Sequence, residues 1–206
     1  DWSETGVEGM SRFLRRLWAQ VCKHAVNGAC DVLDVSQLSA EAKTLRRQLH
    51  ETINKVGDDY GRRLTFNTAI AAVMELLNAT AKFEAKTAND RALLQEAFES
   101  VSLLLNPITP HMAHALWQLL GKPETVLETL AFPKADAAAL VRDSIALAVQ
   151  VNGKLRATIE ASVNAPKEQV EAMALAEPNV AKFLAGLAVK KIIVVPNKIV
   201  NIVVAV

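Results

Sequence analysis

The chain has 206 residues, 51% of them hydrophobic and 22% charged, and a net charge of +1. That is a globular composition with material for one large or two small domains, and so small a net charge excludes a global basic field as the basis for binding any partner. The local balance differs: residues 1–139 hold 15 Lys and Arg against 17 Asp and Glu, whereas residues 140–206 hold 8 against 5.

The N-terminal region reads as helices. Residues 7–25 place Val7, Met10, Phe13, Leu14, Leu17, Trp18, Val21 and Ala25 at spacings of three and four, one face of a first helix. A second follows the period Leu38, Ala42, Leu45, Leu49, Ile53, Val56, and a third begins near Thr65 and runs through Phe66, Ala69, Ile70, Val73, Met74, Leu77 and Ala81. Asn89 is the expected N-cap of a fourth, which carries Leu94, Ala97, Phe98, Val101, Leu104 and Leu105. Pro107 should end that helix at Asn106. Thr109 and Pro110 form a cap and first-turn pair for a fifth helix, closed by Gly121. Five amphipathic helices with short connections predict an antiparallel bundle over residues 1–130.

Residues 121–142 lose the helical period and gain two prolines, so 131–142 is the expected linker. Beyond it, in 143–206, the period becomes two. "IALAVQV" and "KLRATIEASV" alternate, helical stretches follow from Pro166 and across "EPNVAKFLAGLA", and the β-branched runs "VKKIIVV" and "IVNIVVAV" close the chain around a Pro196-Asn197 turn. The order β-β-α-α-β-β predicts a small α+β domain with a four-stranded sheet and helices on one side. The fold expected is thus a mainly α helical bundle followed by that domain.

The first hairpin, "VQVNGKLRAT" (149–158), poses a register problem. A two-residue Asn152-Gly153 turn sets apolar residues opposite charged ones, Val151 against Lys154 and Val149 against Arg156. A three-residue loop, Val151-Asn152-Gly153, with Gly153 left-handed, pairs Val149 with Leu155 and Gln150 with Lys154 instead. It buries Ile145, Leu147, Val149, Leu155, Ala157 and Ile159, and stands Lys154 and Arg156 together on the outward face.

Little else in the chain suggests chemistry. Cys22 and Cys30 are eight apart with no CxxC, which excludes the redox and zinc-knuckle motifs and fits a reducing cytoplasm. His111 and His114 have metal-compatible spacing but no third ligand nearby in sequence, so no metal is expected. No Ser-His-Asp or Cys-His set assembles, no Gly-rich phosphate loop occurs, and Asp58-Asp59 reads as a helix break; no catalytic residue is expected. No 18-residue apolar run or signal-peptide pattern occurs, so neither a membrane span nor export is expected. The absence of an initiator Met suggests a piece of something longer. The basic residues that stand out are Lys154, Arg156, Lys190, Lys191 and Lys198 in the sheet region, and Arg62 and Arg63 at the start of the third helix. Structured nucleic acid is held largely through phosphates by such residues.

Four stretches, "GVEGMSRFLRRLW" (6–18), "RRLTFNTAIAAVMELLN" (62–78), "LLLNPITPHMAHALW" (103–117) and "VQVNGKLRATI" (149–159), together resemble the C-terminal portion of bacterial leucyl-tRNA synthetases. The first three are similar to the anticodon-binding bundle shared by the leucine, isoleucine, valine and methionine enzymes. The fourth, with "VPNKIVNIVV", is similar to the leucine enzymes alone. The resemblance implies a cytoplasmic, monomeric enzyme that uses ATP and Mg2+ to join leucine to tRNA(Leu) through leucyl-adenylate. Its catalytic and editing domains have no counterpart in these residues, so the chain should need no cofactor and catalyse nothing alone, and its role is to hold tRNA. Lys154 and Arg156 match the family's "NGKxR" positions and are the first-rank tRNA contacts. Lys190, Lys191 and Lys198 rank second, Arg62 and Arg63 third. Two departures are Phe132, where the family often has Trp, and Asn197, where it often has Gly. The alternatives are an isoleucine, valine or methionine enzyme's bundle, which the alternating strands disfavour, and a non-catalytic protein-interaction scaffold, which predicts an exposed apolar patch.

Overall fold

The computed structural model describes residues 4–122, 127–141, 144–163, 165–184, 187–196 and 198–204. The chain divides into two compact units, Asp1–Leu140 and Val141–Val206.

In the first unit, helix α1 is Glu4–Ala25, α2 Ala40–Asp58, α3 Phe66–Lys82, α4 Ala88–Leu105 and α5 Pro110–Leu119. Helix α1 buries Phe13, Leu17 and Val21 at steps of four. Val7 and Met10 continue that stripe toward the helix start but are exposed there, and Trp18, about 100° round from Leu17, is exposed as well. Leu49 and Val56 of α2, Leu76 of α3 and Leu93 and Leu104 of α4 lose essentially all their surface to the core, each contributing about 2 kcal/mol by area. The cap of α4 is Thr87, not Asn89. The Thr87 hydroxyl accepts from the Asp90 N–H at 3.0 Å, and the Asp90 carboxylate accepts from the Thr87 N–H at 2.9 Å. This reciprocal box satisfies two donors where Asn89 would satisfy one. Asn89 is used elsewhere: its side chain accepts from the Asp34 N–H at 2.8 Å and donates to the Asp34 carbonyl at 2.9 Å.

Between α2 and α3 lies a π-helical turn, Asp59–Arg63, closed by Leu64 in the left-handed region at φ 55. Asp59 is fully buried beneath it. Its carboxylate accepts from Thr68 at 2.6 Å and from Thr65 and Lys55 at 3.0 Å. The Thr68 hydroxyl above all, helped by Lys55 and Thr65 against the cost of burial, holds its acid down at about 2.

Residues 131–140, expected as a linker, belong to the first unit. Buried Arg46 of α2 makes a two-pronged bond to Glu96 of α4, at 3.1 and 3.2 Å, and donates to Asp136 at 3.0 Å. His50 Nδ1 accepts from the Asp136 N–H at 3.1 Å, so the ring proton sits on Nε2, 3.3 Å from Glu96. Burial pushes the Glu96 acid up, but the bonds from His50 and Arg46 outweigh it and hold it below the usual range.

In the second unit, β1 is Ser144–Val151, β2 Lys154–Ser162, α6 Lys167–Ala176, α7 Pro178–Leu184, β3 Val189–Val195 and β4 Ile199–Val204. The expected element order holds. The sheet runs β2-β1-β4-β3, with β1 and β4 parallel and both outer pairs antiparallel. One face, led by Leu147, Val149, Val200 and Ile202, packs with Val170 and Ala174 of α6 and Val180 of α7. Glu177 starts α7 by accepting from the Asn179 and Val180 N–H groups. Asn197 lies outside the described residues.

The hairpin differs from the expected three-residue loop. Val151 pairs with Lys154 across a two-residue turn, with both Asn152 (φ 47) and Gly153 (φ 77) left-handed. These are the angles of the type I′ turn that Asn-Gly favours. The face conflict that argued against this turn is removed by a β-bulge: Gln150 pairs with Leu155 and Val149 with Ala157, leaving Arg156 as an extra residue in β2. Below the bulge Ala157, Ile159 and Ala161 face the core; above it Leu155, expected buried, is 62% exposed on the helix-free face. The turn is also tied to β4. The Asn152 side chain accepts from the Val204 N–H at 3.0 Å, its backbone N–H donates to Ile202 at 2.9 Å, and the Gly153 N–H donates to the Asn201 side chain at 3.1 Å.

Candidate nucleic-acid interface

The strand directions place the expected cations. Since β1 and β4 are parallel, the Asn152-Gly153 turn, the end of β4 and the start of β3 share one end of the sheet. Lys154 begins β2 there and Arg156 follows it; Lys190 and Lys191 begin β3 there. The two groups stand on opposite edge strands, three strand spacings or about 14 Å apart. Lys198 is not with them. It follows the turn at the other end of β3, about 15 Å further down at 3.3 Å per residue.

Both edge strands bulge at this end, and each bulge extrudes a cation. Arg156 is the unpaired residue of β2 and Lys190 that of β3, where Val189 pairs with Val204 and Lys191 with Val203. Lys154, Lys190 and Lys191 are exposed, and none has a carboxylate partner among the described residues.

Arg156 departs from expectation. Neither it nor Lys154, which pairs with core-facing Val151, stands on the open sheet face. Arg156 is half-buried on the helix side, its guanidinium carbon 3.6 Å from the centre of the Phe183 ring of α7. Its Nε is buried with no acceptor. The helix-free face is correspondingly aliphatic, exposing Leu155, Ile193 and Val195 with Lys191. The two-residue turn sets this side, since it puts Lys154 opposite core-facing Val151 and Arg156 two residues on; the bulge then returns Ala157 and Ile159 to the same face.

On the first unit, Arg62 and Arg63 are engaged internally. Arg62 clasps Asp58 through two bonds, at 2.6 and 2.8 Å, and Arg63 lies 3.3 Å from Asp59. The Arg62 bond holds the Asp58 acid below the usual range. Elsewhere in this unit, Cys30 Sγ comes within 3.7 Å of His24 Nε2. That pair does not make a nucleophile. Gln95 donates both its amide hydrogens, to Glu99 and the Leu120 carbonyl, so its oxygen, 2.7 Å from His24 Nε2, must accept the imidazole proton. No group of three His, Cys, Asp or Glu suited to a metal occurs among the described residues, and no helix among them is long and apolar enough to cross a membrane.

Residues 42–172 match the family described as the anticodon-binding domain of tRNA ligase. The chain belongs to that family. Leucine–tRNA ligases are among the similar curated proteins: that of Stenotrophomonas maltophilia strain R551-3 is 68% identical over 205 residues, spanning all of this chain and 23% of the relative, and that of Xanthomonas axonopodis pv. citri strain 306 is 66% identical over 203 residues, again 23% of the relative. The chain therefore spans about a quarter of the length of these ligases. A solved LeuRS–tRNA–LeuAMS ternary complex from Agrobacterium radiobacter K84 is similar in structure, with a TM-score of 0.75 and 28% identity over all of this chain and 26% of that one. Within this anticodon-binding-domain chain, Phe183 is the residue that sequence reading missed. Its position in a short helix carried no signal beyond the apolar period; only the two-residue turn, which puts Arg156 on the helix side, brings the two together.

Proposed function

We propose that this chain is the tRNA-holding part of a leucine–tRNA ligase, and that the hairpin end of its sheet is an RNA contact surface. The whole enzyme would activate leucine with ATP and Mg2+ and pass it to tRNA(Leu) in the cytoplasm as a monomer. This chain contributes no catalytic group and no cofactor site; it positions the tRNA. The observation that carries the RNA surface is the gathering of Lys154, Arg156, Lys190 and Lys191 at one end of the sheet, with a bulge extruding a cation from each edge. Names of the similar ligases support the choice of tRNA. Lys198, at the opposite end, and Arg62 and Arg63, held by aspartates, take secondary places.

Bulges and lysines on edge strands also guard against edge-to-edge association. That purpose needs only charge of either sign, whereas phosphate binding needs positive charge. Reversing Lys154, Lys190 and Lys191 to Glu therefore separates the two. The expected result is a soluble, folded protein whose affinity for a leucine tRNA transcript falls at least tenfold, with a shallower dependence on salt. Unchanged affinity at low salt contradicts the assignment. The exposed aliphatic residues Leu155, Ile193 and Val195 favour a second reading, a protein contact on the helix-free face. Under it, Leu155→Ser with Ile193→Ser would reduce function while leaving the salt dependence of tRNA binding unaltered.

A further inference from the structure

Arg156 is an unusual cation for a surface of this kind. Two features set it apart from the neighbouring lysines. Its guanidinium is seated flat enough on Phe183 to bring the central carbon within 3.6 Å of the ring centre. Its Nε is sealed from solvent without an acceptor. Like those lysines it has no carboxylate partner among the described residues, whereas Arg46 and Arg62 each bond an acid through two nitrogens. A half-buried guanidinium that forgoes an acid loses desolvation energy that a protein acceptor normally returns. The ring contact offsets part of that loss and fixes the plane of the group. What remains open is the pair of terminal nitrogens, whose hydrogens point in a set direction.

Resting on the reading of this sheet end as an RNA surface, we infer that Arg156 is a pre-positioned fork for a backbone phosphate, and that Phe183 is the positioning residue that holds it. A planar fork on a fixed platform forms two parallel bonds to a phosphate with little ordering left to do, whereas a lysine offers a mobile point charge. The two-residue turn is the structural cause. With Val151 opposite Lys154, Arg156 falls on the face of core-facing Val149, over α7; the three-residue loop would have left it on the helix-free face, and Phe183 would have no guanidinium to orient. Lys154, Lys190 and Lys191 then supply diffuse attraction, while Arg156 fixes where one phosphate sits.

The test uses the full-length protein and a leucine tRNA transcript, with affinity measured across a salt series. Arg156→Lys keeps the charge and removes the fork. Phe183→Leu keeps an apolar side chain and removes the ring, and Phe183→Tyr restores it. Arg156→Lys and Phe183→Leu are each expected to weaken binding about five- to tenfold with an unchanged salt slope and thermal midpoint. Phe183→Tyr should bind as the parent does. Arg156→Ala should weaken binding and lower the salt slope by about one. Phe183→Leu should add nothing once Arg156 is alanine, an outcome that a merely structural phenylalanine would not give. Parental binding by Arg156→Lys, with a lowered slope for Arg156→Ala, overturns the fork but leaves the RNA surface in place. An equal effect of Phe183→Leu in both backgrounds overturns the positioning role. If no Arg156 variant changes affinity while the triple lysine reversal does, Arg156 lies outside the interface; if that reversal also has no effect, the RNA surface itself fails.

Discussion

Replacing Asn152 dissects the turn on which the cationic end is built. Asn152 has φ 47 and supplies an acceptor to the N–H of buried Val204 at 3.0 Å. Asn152→Gly keeps the left-handed angle and loses the side-chain bond. An orphaned buried N–H costs about 1–3 kcal/mol, and glycine's greater freedom in the unfolded chain adds some tenths. Asn152→Ala loses the same bond and must also hold a Cβ in the left-handed region, a further cost of about 1 kcal/mol. The alanine variant should therefore be the less stable by about 1 kcal/mol, and below the parent by about 2–4 kcal/mol in all. For a unit of this size each kcal/mol moves the midpoint by about 4–8 °C. The assay is thermal unfolding followed by the circular dichroism of the sheet, with each variant melted at equal concentration. Equal midpoints for the glycine and alanine variants would refute the left-handed assignment at 152. An alanine variant within about 0.5 kcal/mol of the parent, the usual range of an inert surface change, would refute the tie to β4 as well.

Three further outcomes follow from the first unit. Leu64 is 68% exposed at φ 55, so Leu64→Gly should raise stability by about 0.5–1 kcal/mol in chemical denaturation; a loss would mean that the side chain makes contacts that matter more than its backbone angle. Removing buried Arg46 as Arg46→Met leaves Glu96 facing His50 alone and frees Asp136, so the unit should lose about 3 kcal/mol and Lys134 should become a faster tryptic site; an unchanged cleavage rate would show that Arg46 does not hold this segment. Asp59, with its acid lowered to about 2, contributes stability that is fully present above pH 4 and is lost as pH falls from about 4 through 2. Asp59→Asn should flatten that part of the stability curve, and an identical acid limb in variant and parent would refute the link.

How far the sequence could be read depended on how local the cause was. Helix positions followed from apolar spacing, and Gly121 closes α5 at φ 75 because a left-handed cap is chosen by glycine itself. The helix-region departures came from competition between neighbours: Thr87 took the cap because Asp90 lies three residues on, while Asn89 was drawn to a strand of backbone 55 residues away. The hairpin was harder. Asn152-Gly153 carries the right turn signal, but strict alternation on either side of it conflicts with burial. A bulge breaks alternation, and nothing in "KLRAT" marks where one falls. The turn length also hid Phe183, whose importance depends on Arg156 facing the helices. The separation of Lys198 from the other lysines required the sheet order β2-β1-β4-β3, a long-range property that spacing along the chain does not encode.

The central claim is that RNA meets the hairpin end of the sheet, and photo-crosslinking tests it most directly. A benzoylphenylalanine placed at 154, at 190 or at 198 in the full-length protein, irradiated with a leucine tRNA transcript, samples both ends of one small sheet. The account predicts crosslinks from 154 and 190 and few from 198. Crosslinking from 198 with none from 154 or 190 would contradict it.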